Sequence, residues 1–220
     1  MEIIVKIAVL GSTGQTGRLV VARALERGHD VIALARRPEQ VQAPAPAAGK
    51  LRVVRADVTQ PGSVEAAVEG ADVVVSALGI TKKQDPAVLV EGARQVVSAG
   101  PRVVWLTSLG MGATEGALGT FTGALLKRVL RHEWDAKEVS GRTVRASGGT
   151  TVHAGPLTDK PHQGNGRLIR AGDFRPRLVP PMAPRAGIAA LMVAEAETPD
   201  FADSDTIALF GSGFSRDSGG

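Results

Sequence analysis

At 220 residues, 43% of them apolar and 22% charged, the chain suits one globular domain large enough to bury a core on both faces of a sheet. The absence of cysteine excludes disulfides and thiolate metal sites, so no metal is expected and the cytoplasm is the expected location. The net charge of +4 comes from scattered arginines with no basic run interleaved with aromatics, and no apolar run approaches ~18 residues, so neither nucleic acid nor a membrane is an expected partner.

Along the chain, "MEIIVKIAVLG" reads as a first strand rather than a leader, because Glu2 and Lys6 interrupt it and no small-residue cleavage site follows. Strands are predicted at Ile3–Leu10, Asp30–Ala35, Leu51–Ala56, Asp72–Ala77 and Arg102–Thr107. Runs such as "DVVVSAL" and "RVVWLTS" are apolar throughout, as strands covered on both faces are. The helix after Gly14 places Gly17, Val21, Ala24 and Leu25 on one side. Further helices are predicted near Ser63–Glu69, Ala87–Ser98, Phe121–His132 and Asp135–Ala146. Alternating strands and helices with right-handed crossovers give a Rossmann-type doubly wound, mostly parallel sheet with helices on both faces. Residues 1–211 are expected to form this single domain. Substrate-side loops are expected near 109–120, where the glycine-rich run "GMGATEGALGTFTG" reads as a lid or a flexible loop, and near 156–185. A helix around Ile188, Leu191 and Met192, a strand "DTIALFG" and a flexible tail over 212–220 complete the expected order.

The first strand runs directly into a G-x-x-G-x-x-G loop, comprising Gly11, Ser12, Thr13, Gly14, Gln15, Thr16 and Gly17. Gly11 permits the tight turn, Gly14 allows close approach of a pyrophosphate, and Gly17 allows the helix to pack on the strand. The helix start then offers unpaired N–H groups to the phosphates. The second strand ends in "ALARRPEQ". Where an NAD site expects a carboxylate for the ribose 2′-hydroxyl, Arg36 and Arg37 stand instead. A guanidinium can hold a 2′-phosphate with paired, charge-assisted bonds, which favours NADP(H) over NAD(H).

With these pieces, "VLGSTGQTG", "ALARRPE", "VVRADVTQPGSVEAAVEGADVVVSALG", "RVVWLTSLG", the Lys and "RASG" of "KEVSGRTVRASG", "GPLTD" and "PRAGIAALMVAE", the chain resembles the atypical short-chain dehydrogenase/reductase superfamily. Within it the likeness is to the NAD(P)H-binding group of biliverdin/flavin reductase-like and NmrA-like proteins. The resemblance implies that Asp57 and Val58 lie beside the adenine and that Ala77, Leu78 and Gly79 line the cofactor. It also implies that Ser108 takes the catalytic-serine position, that Lys137 bonds the nicotinamide ribose, and that Gly155 and Pro156 lie near the nicotinamide. The chain departs from the pattern in three places. The tyrosine of the superfamily's Y-x-x-x-K is Glu133, in a chain with no tyrosine at all; the family's "RPG" reads His153-Ala154-Gly155; and the glutamate four residues after the lysine is Gly141, which predicts a locally loose helix.

Ketone reduction needs a proton donor, and without tyrosine the candidates are Glu133, His132, His153 or solvent. Each side chain also has an ordinary reading: a surface carboxylate for Glu133, polar or core histidines for the others. The ordinary reading of Ser108 is a serine that ends a strand, and that of Lys137 a solvated helix lysine. A flavin, quinone or activated carbonyl removes the need for a dedicated donor, because the charge delocalises and solvent can protonate it. Two functions follow. One is an NADPH-dependent oxidoreductase acting on a small-molecule conjugated acceptor through Ser108 and Lys137, as monomer or homodimer; the other is a non-catalytic NADP(H)-binding redox sensor of the NmrA-like type. Having both Ser108 and Lys137 favours the enzyme.

Overall fold

The structure, a computed structural model, describes residues 4–42, 47–81, 83–129, 131–161, 166–176 and 178–211; the tail expected over 212–220 lies outside them. In chain order the elements are β1 (Lys6–Leu10), α1 (Gln15–Glu26), β2 (Asp30–Ala35), β3 (Leu51–Arg55), α2 (Ser63–Ala67), β4 (Val73–Ser76), α3 (Ala87–Ser98) and β5 (Arg102–Ser108). They continue with α4 (Gly119–Val129), α5 (Trp134–Ala146), β6 (Thr150–Ala154), β7 (Leu157–Thr158), β8 (Gly166–Arg170), β9 (Ala183–Pro184), α6 (Arg185–Glu197) and β10 (Ser204–Phe210).

Eight strands form one sheet in the order β3-β2-β1-β4-β5-β6-β10-β8, parallel except for the edge strand β8, and β7 pairs with β9 in a separate two-stranded ribbon. Alternation along the strands sends side chains to two cores. Ile7 and Val9 of β1 meet Val20, Val21, Ala24 and Leu25 of α1 and Ile188, Met192 and Val193 of α6 on one face. Ala8 and Leu10 meet Val64 of α2, Ala93 and Val96 of α3, Trp105 of β5 and Val144 of α5 on the other. The fold is thus the predicted doubly wound one. The strand order reverses between β1 and β4: β2 and β3 build outward on one side, and the chain then crosses to the other. In such sheets a crevice opens at that point, beyond the carboxyl ends of the strands.

Two expectations about the C-terminal half are corrected. The run 109–120 is neither a lid nor free, because Leu109, Ala117 and Leu118 are buried against Ile207 and Leu209 of β10. Its turn is pinned by the Thr114 hydroxyl, which accepts from the backbone N–H groups of Gly110 (2.8 Å) and Met111 (3.1 Å). The stretch 156–185 also holds a true strand, β8, whose Ile169 pairs with Ile207. The helix expected at Phe121–His132 begins earlier and ends by Val129, so residues 131–133 form a turn into α5.

Candidate active site

A cleft of about 540 Å³ lies along the carboxyl ends of β1, β2, β4, β5 and β6, within the range of small-molecule sites. Its floor begins at the glycine loop. Gly11 has φ +79°, and a Cβ there would stand 2.9 Å from the Ala77 backbone, while a Cβ on Gly17 would fall 2.1 Å from the Gly11 carbonyl oxygen. Only glycine allows β1, α1 and the β4 exit to approach this closely. The N-cap of α1 is Gly14, extended and with no side-chain cap, so the first-turn N–H groups remain open beside a cleft that Gly14, Gln15 and Thr16 line.

Of the residues singled out in the sequence, Gly11, Thr13, Gly14, Gln15, Thr16, Arg36, Asp57, Val58, Ala77, Leu78, Gly79, Ser108, Lys137 and Gly155 line this one cleft. Ser12, Gly17, Arg37 and Pro156 do not. Ser12 is buried and its hydroxyl donates to the Leu34 carbonyl at 2.7 Å, tying the loop to β2. Arg37 is exposed at the start of a short 3₁₀ turn, Pro38–Gln40. Arg36 lines the cleft, and its guanidinium makes no hydrogen bond or ion pair among the described residues. Asp57 is occupied locally, its carboxylate accepting from the Thr59 N–H (3.0 Å) and hydroxyl (2.8 Å).

At the far end, the Lys137 ammonium donates to Ser108 Oγ at 2.9 Å and lies 3.4 Å from Glu133 Oε1. Glu133 and Lys137 are one helical turn apart, so α5 places both over the end of β5, each with a side chain 19% exposed. Among the three side chains weighed as proton donors, Glu133 alone lines this cleft. His132 is turned outward with Nε2 3.2 Å from the Gln84 carbonyl. His153 is buried behind Ser108 and faces a second cavity of about 300 Å³. Sequence reading missed Thr59, Ile80, Thr81, Gln84, Leu106, Thr107, Leu157 and Arg185, which also line the cleft. Arg185, the first residue of α6, pairs with Asp159 at 2.9 Å. Its position in "PRAGIAALM" carried no signal of where α6 would begin.

A family model described as NAD(P)H-binding matches residues 11–199. Curated relatives include an uncharacterized Mycobacterium tuberculosis protein, 34% identical over 95 residues, covering 43% of this chain and 10% of the relative. A Zea mays isoflavone reductase homolog is 36% identical over 97 residues, covering 41% of this chain and 31% of the relative. The matches to the mycobacterial relatives thus span about a tenth of those proteins' length. Among solved structures, an oxidoreductase from Lactococcus lactis superposes with TM-score 0.77 at 18% identity, covering 94% of this chain and 91% of that one. An anaerobillin reductase from Escherichia coli O157:H7 superposes with TM-score 0.73 at 20% identity, covering 94% and 98%. A short-chain dehydrogenase/reductase from Veillonella parvula gives 0.74 at 17%, covering 96% of each chain. At these identities the structural likeness speaks for the fold.

Proposed function

The chain belongs to the NAD(P)H-binding family, and on that premise we propose that it is an NADPH-dependent oxidoreductase delivering hydride to a conjugated acceptor such as a flavin, quinone or activated carbonyl. The observation that carries the reading is the Lys137–Ser108 hydrogen bond of 2.9 Å at one end of the dinucleotide cleft. The cleft fits a dinucleotide: the uncapped start of α1 suits the pyrophosphate, and Gly11 lets the loop close against the exit of β4 to form the floor on which it would rest. Asp57 and Val58 would flank the adenine, and Ala77, Leu78 and Gly79 the middle of the cofactor. Gly155 would lie by the nicotinamide.

When bound, the cofactor supplies the hydride. The chain's part is then positional and electrostatic. The Lys137 ammonium polarises the Ser108 hydroxyl, which can donate to an acceptor oxygen as charge builds there. Glu133 is the counter-ion of Lys137, which opposes its use as a proton donor. Of the other two side chains weighed, neither reaches the cleft. A delocalising acceptor protonated by solvent meets this arrangement, and a simple ketone does not.

The test is NADPH oxidation, followed by absorbance, against a panel of flavins, quinones and activated carbonyls. Turnover with a conjugated member is expected. Tight NADP binding with no turnover on any member would replace this reading with the redox sensor.

The cofactor preference rests on Arg36, which lines the cleft, makes no hydrogen bond or ion pair among the described residues and would hold a 2′-phosphate through its guanidinium. Arg36→Ala is expected to weaken NADPH binding by about 1.5–3 kcal/mol, the worth of hydrogen bonds to a charged group, and to leave NADH binding nearly unchanged. Equal losses for the two cofactors, measured by titration, would remove the assignment.

A further inference from the structure

Behind Ser108, the adjacent strands β5, β6 and β10 present a largely buried polar face. Val152 and Ala154 of β6 enter the core under α1 and α6, so Thr151 and His153 point to the opposite face. Thr107 of β5 pairs in register with His153, and Asp205 of β10 pairs with Thr151. Burying Thr107, Thr151 and His153 this deeply is unfavourable unless each polar atom finds a partner.

His153 meets a hydrogen-bond acceptor on each side of its ring. Nδ1 lies 3.2 Å from the Ser108 carbonyl oxygen and 3.2 Å from Thr114 Oγ1, and Thr114 directs its own proton to the Met111 carbonyl at 2.9 Å. Nε2 lies 3.3 Å from Thr151 Oγ1 and 3.3 Å from Asp205 Oδ1, and Thr151 donates its proton to that carboxylate. Thr114 Oγ1 already accepts from Gly110 and Met111, so the acceptors that face the ring are the Ser108 carbonyl on the Nδ1 side and Thr151 Oγ1 and the Asp205 carboxylate on the Nε2 side. A neutral imidazole has one N–H and would turn a bare lone pair toward acceptors on its other side. We infer that His153 carries a proton on both ring nitrogens and, through the Ser108 carbonyl, is the positioning residue that fixes how Ser108 meets Lys137 and the acceptor.

The surroundings are arranged for this cation. Asp205 is bound by Arg145 Nη1 at 2.5 Å. Burial alone would raise the Asp205 carboxyl, but the bonds from His153 and Thr151 and the charges of His153 and Arg145 outweigh it and leave it below the ordinary range. Lys137, Glu138, Arg142 and Arg145 of α5, Asp205 of β10 and Glu115 complete the charged lining of the 300 Å³ cavity that His153 faces. Arg142 and Glu138 pair with each other at 2.6 Å. Gly141 helps to keep the cavity open, since a Cβ there would meet nothing closer than Thr151 Cγ2 at 3.9 Å. The Ser108 carbonyl, held by His153, shares its peptide with the Leu109 N–H, which donates to the Ala154 carbonyl at 2.8 Å. Both faces of this peptide are thereby anchored, and Oγ is presented to Lys137.

The positioning role rests on the proposed catalytic reading of Ser108; the protonation does not. Two experiments separate them. The chain has four histidines, so ring ¹⁵N resonances of the labelled full-length protein can be assigned to His153 by their loss in His153→Arg. Both nitrogens are expected in the protonated range at pH 7, and an unprotonated ring nitrogen would overturn the inference. In the second, a pocket with an acceptor on each side should take an all-donor side chain, and the adjoining cavity gives a guanidinium room. His153→Arg should keep a wild-type-like kcat. His153→Phe should lose kcat by about 10- to 100-fold, the cost of a misplaced reacting group, with KM for NADPH unchanged. Should His153→Phe not fold, His153→Gln, with a donor group on one side and an acceptor on the other, serves in its place. Equal kcat losses in the Arg and apolar or amide variants would overturn the positioning role. So would a wild-type rate in Ser108→Ala, with the ring-nitrogen result still standing on its own.

Discussion

Replacing Lys137 with methionine is expected to lower kcat for NADPH oxidation by about 10²- to 10³-fold, the cost of removing one preorganised donor from a site where charge develops. The reason is local. Lys137 is the only described group that donates to the Ser108 hydroxyl, at 2.9 Å, and it neutralises Glu133 at 3.4 Å. Without it, Ser108 is no longer polarised and an uncompensated carboxylate faces a site that must gather negative charge. Methionine keeps the aliphatic bulk of the stem, so α5 should retain its packing. Steady-state kinetics with the best acceptor, alongside a thermal melt, checks this. An unchanged kcat in a folded variant would remove Lys137 from the mechanism.

The largest stability effect is expected at Asp205. Asp205→Asn leaves His153 without its anion and Arg145 with only the exposed Asp203 at 3.5 Å, and breaking a buried pair costs about 3–5 kcal/mol. Here the Arg145 side chain is 36% exposed and that of Asp205 17%, so solvent screening lowers the expectation to about 2–3 kcal/mol. The pH dependence has a definite sign. The folded-state carboxyl titrates below its ordinary value, because its bonds and neighbouring positive charges outweigh the upward push of burial. Its stabilisation is therefore complete above the unfolded-state value of about 3.9 and is lost as pH falls from there through the lower folded-state value. Urea midpoints of wild type and variant should differ widely at pH 7 and converge in strong acid. A gap independent of pH would contradict the ion-pair account.

Particular elements show why some of this was legible in the chain and some was not. β1, its glycine loop and α1 occupy contiguous residues, and their requirements are local: a positive φ at Gly11, no Cβ at Gly17 and an apolar helix face on Val20, Val21, Ala24 and Leu25. Local requirements leave a spacing that can be read. β8 left none, because its five residues become a strand by pairing with β10, from Gly166–Phe210 to Arg170–Thr206. Strand preference depends on such neighbours more than on the segment itself. The run 109–120 was misread for a related reason. Its glycines suggest freedom, but Leu109 and Leu118 find a buried seat on β10, whose residues lie about ninety positions further on.

The site divides in the same way. The sequence by itself determined a doubly wound domain, the place of its dinucleotide loop and the arginines at the end of β2, all of which follow from short-range geometry. Only the tertiary structure decided which chemistry-bearing side chains meet. Ser108 and Lys137 are 29 positions apart and share a hydrogen bond, while His153 leaves the cleft to join Asp205, 52 positions away. Nor could spacing distinguish Ser12, which faces β2, from Thr13 beside it, which faces the cleft. The physical reason is that a hydrogen bond depends on distance and direction in space. Helix and strand periodicities specify direction within one element; the distance between elements is set by how the two cores pack.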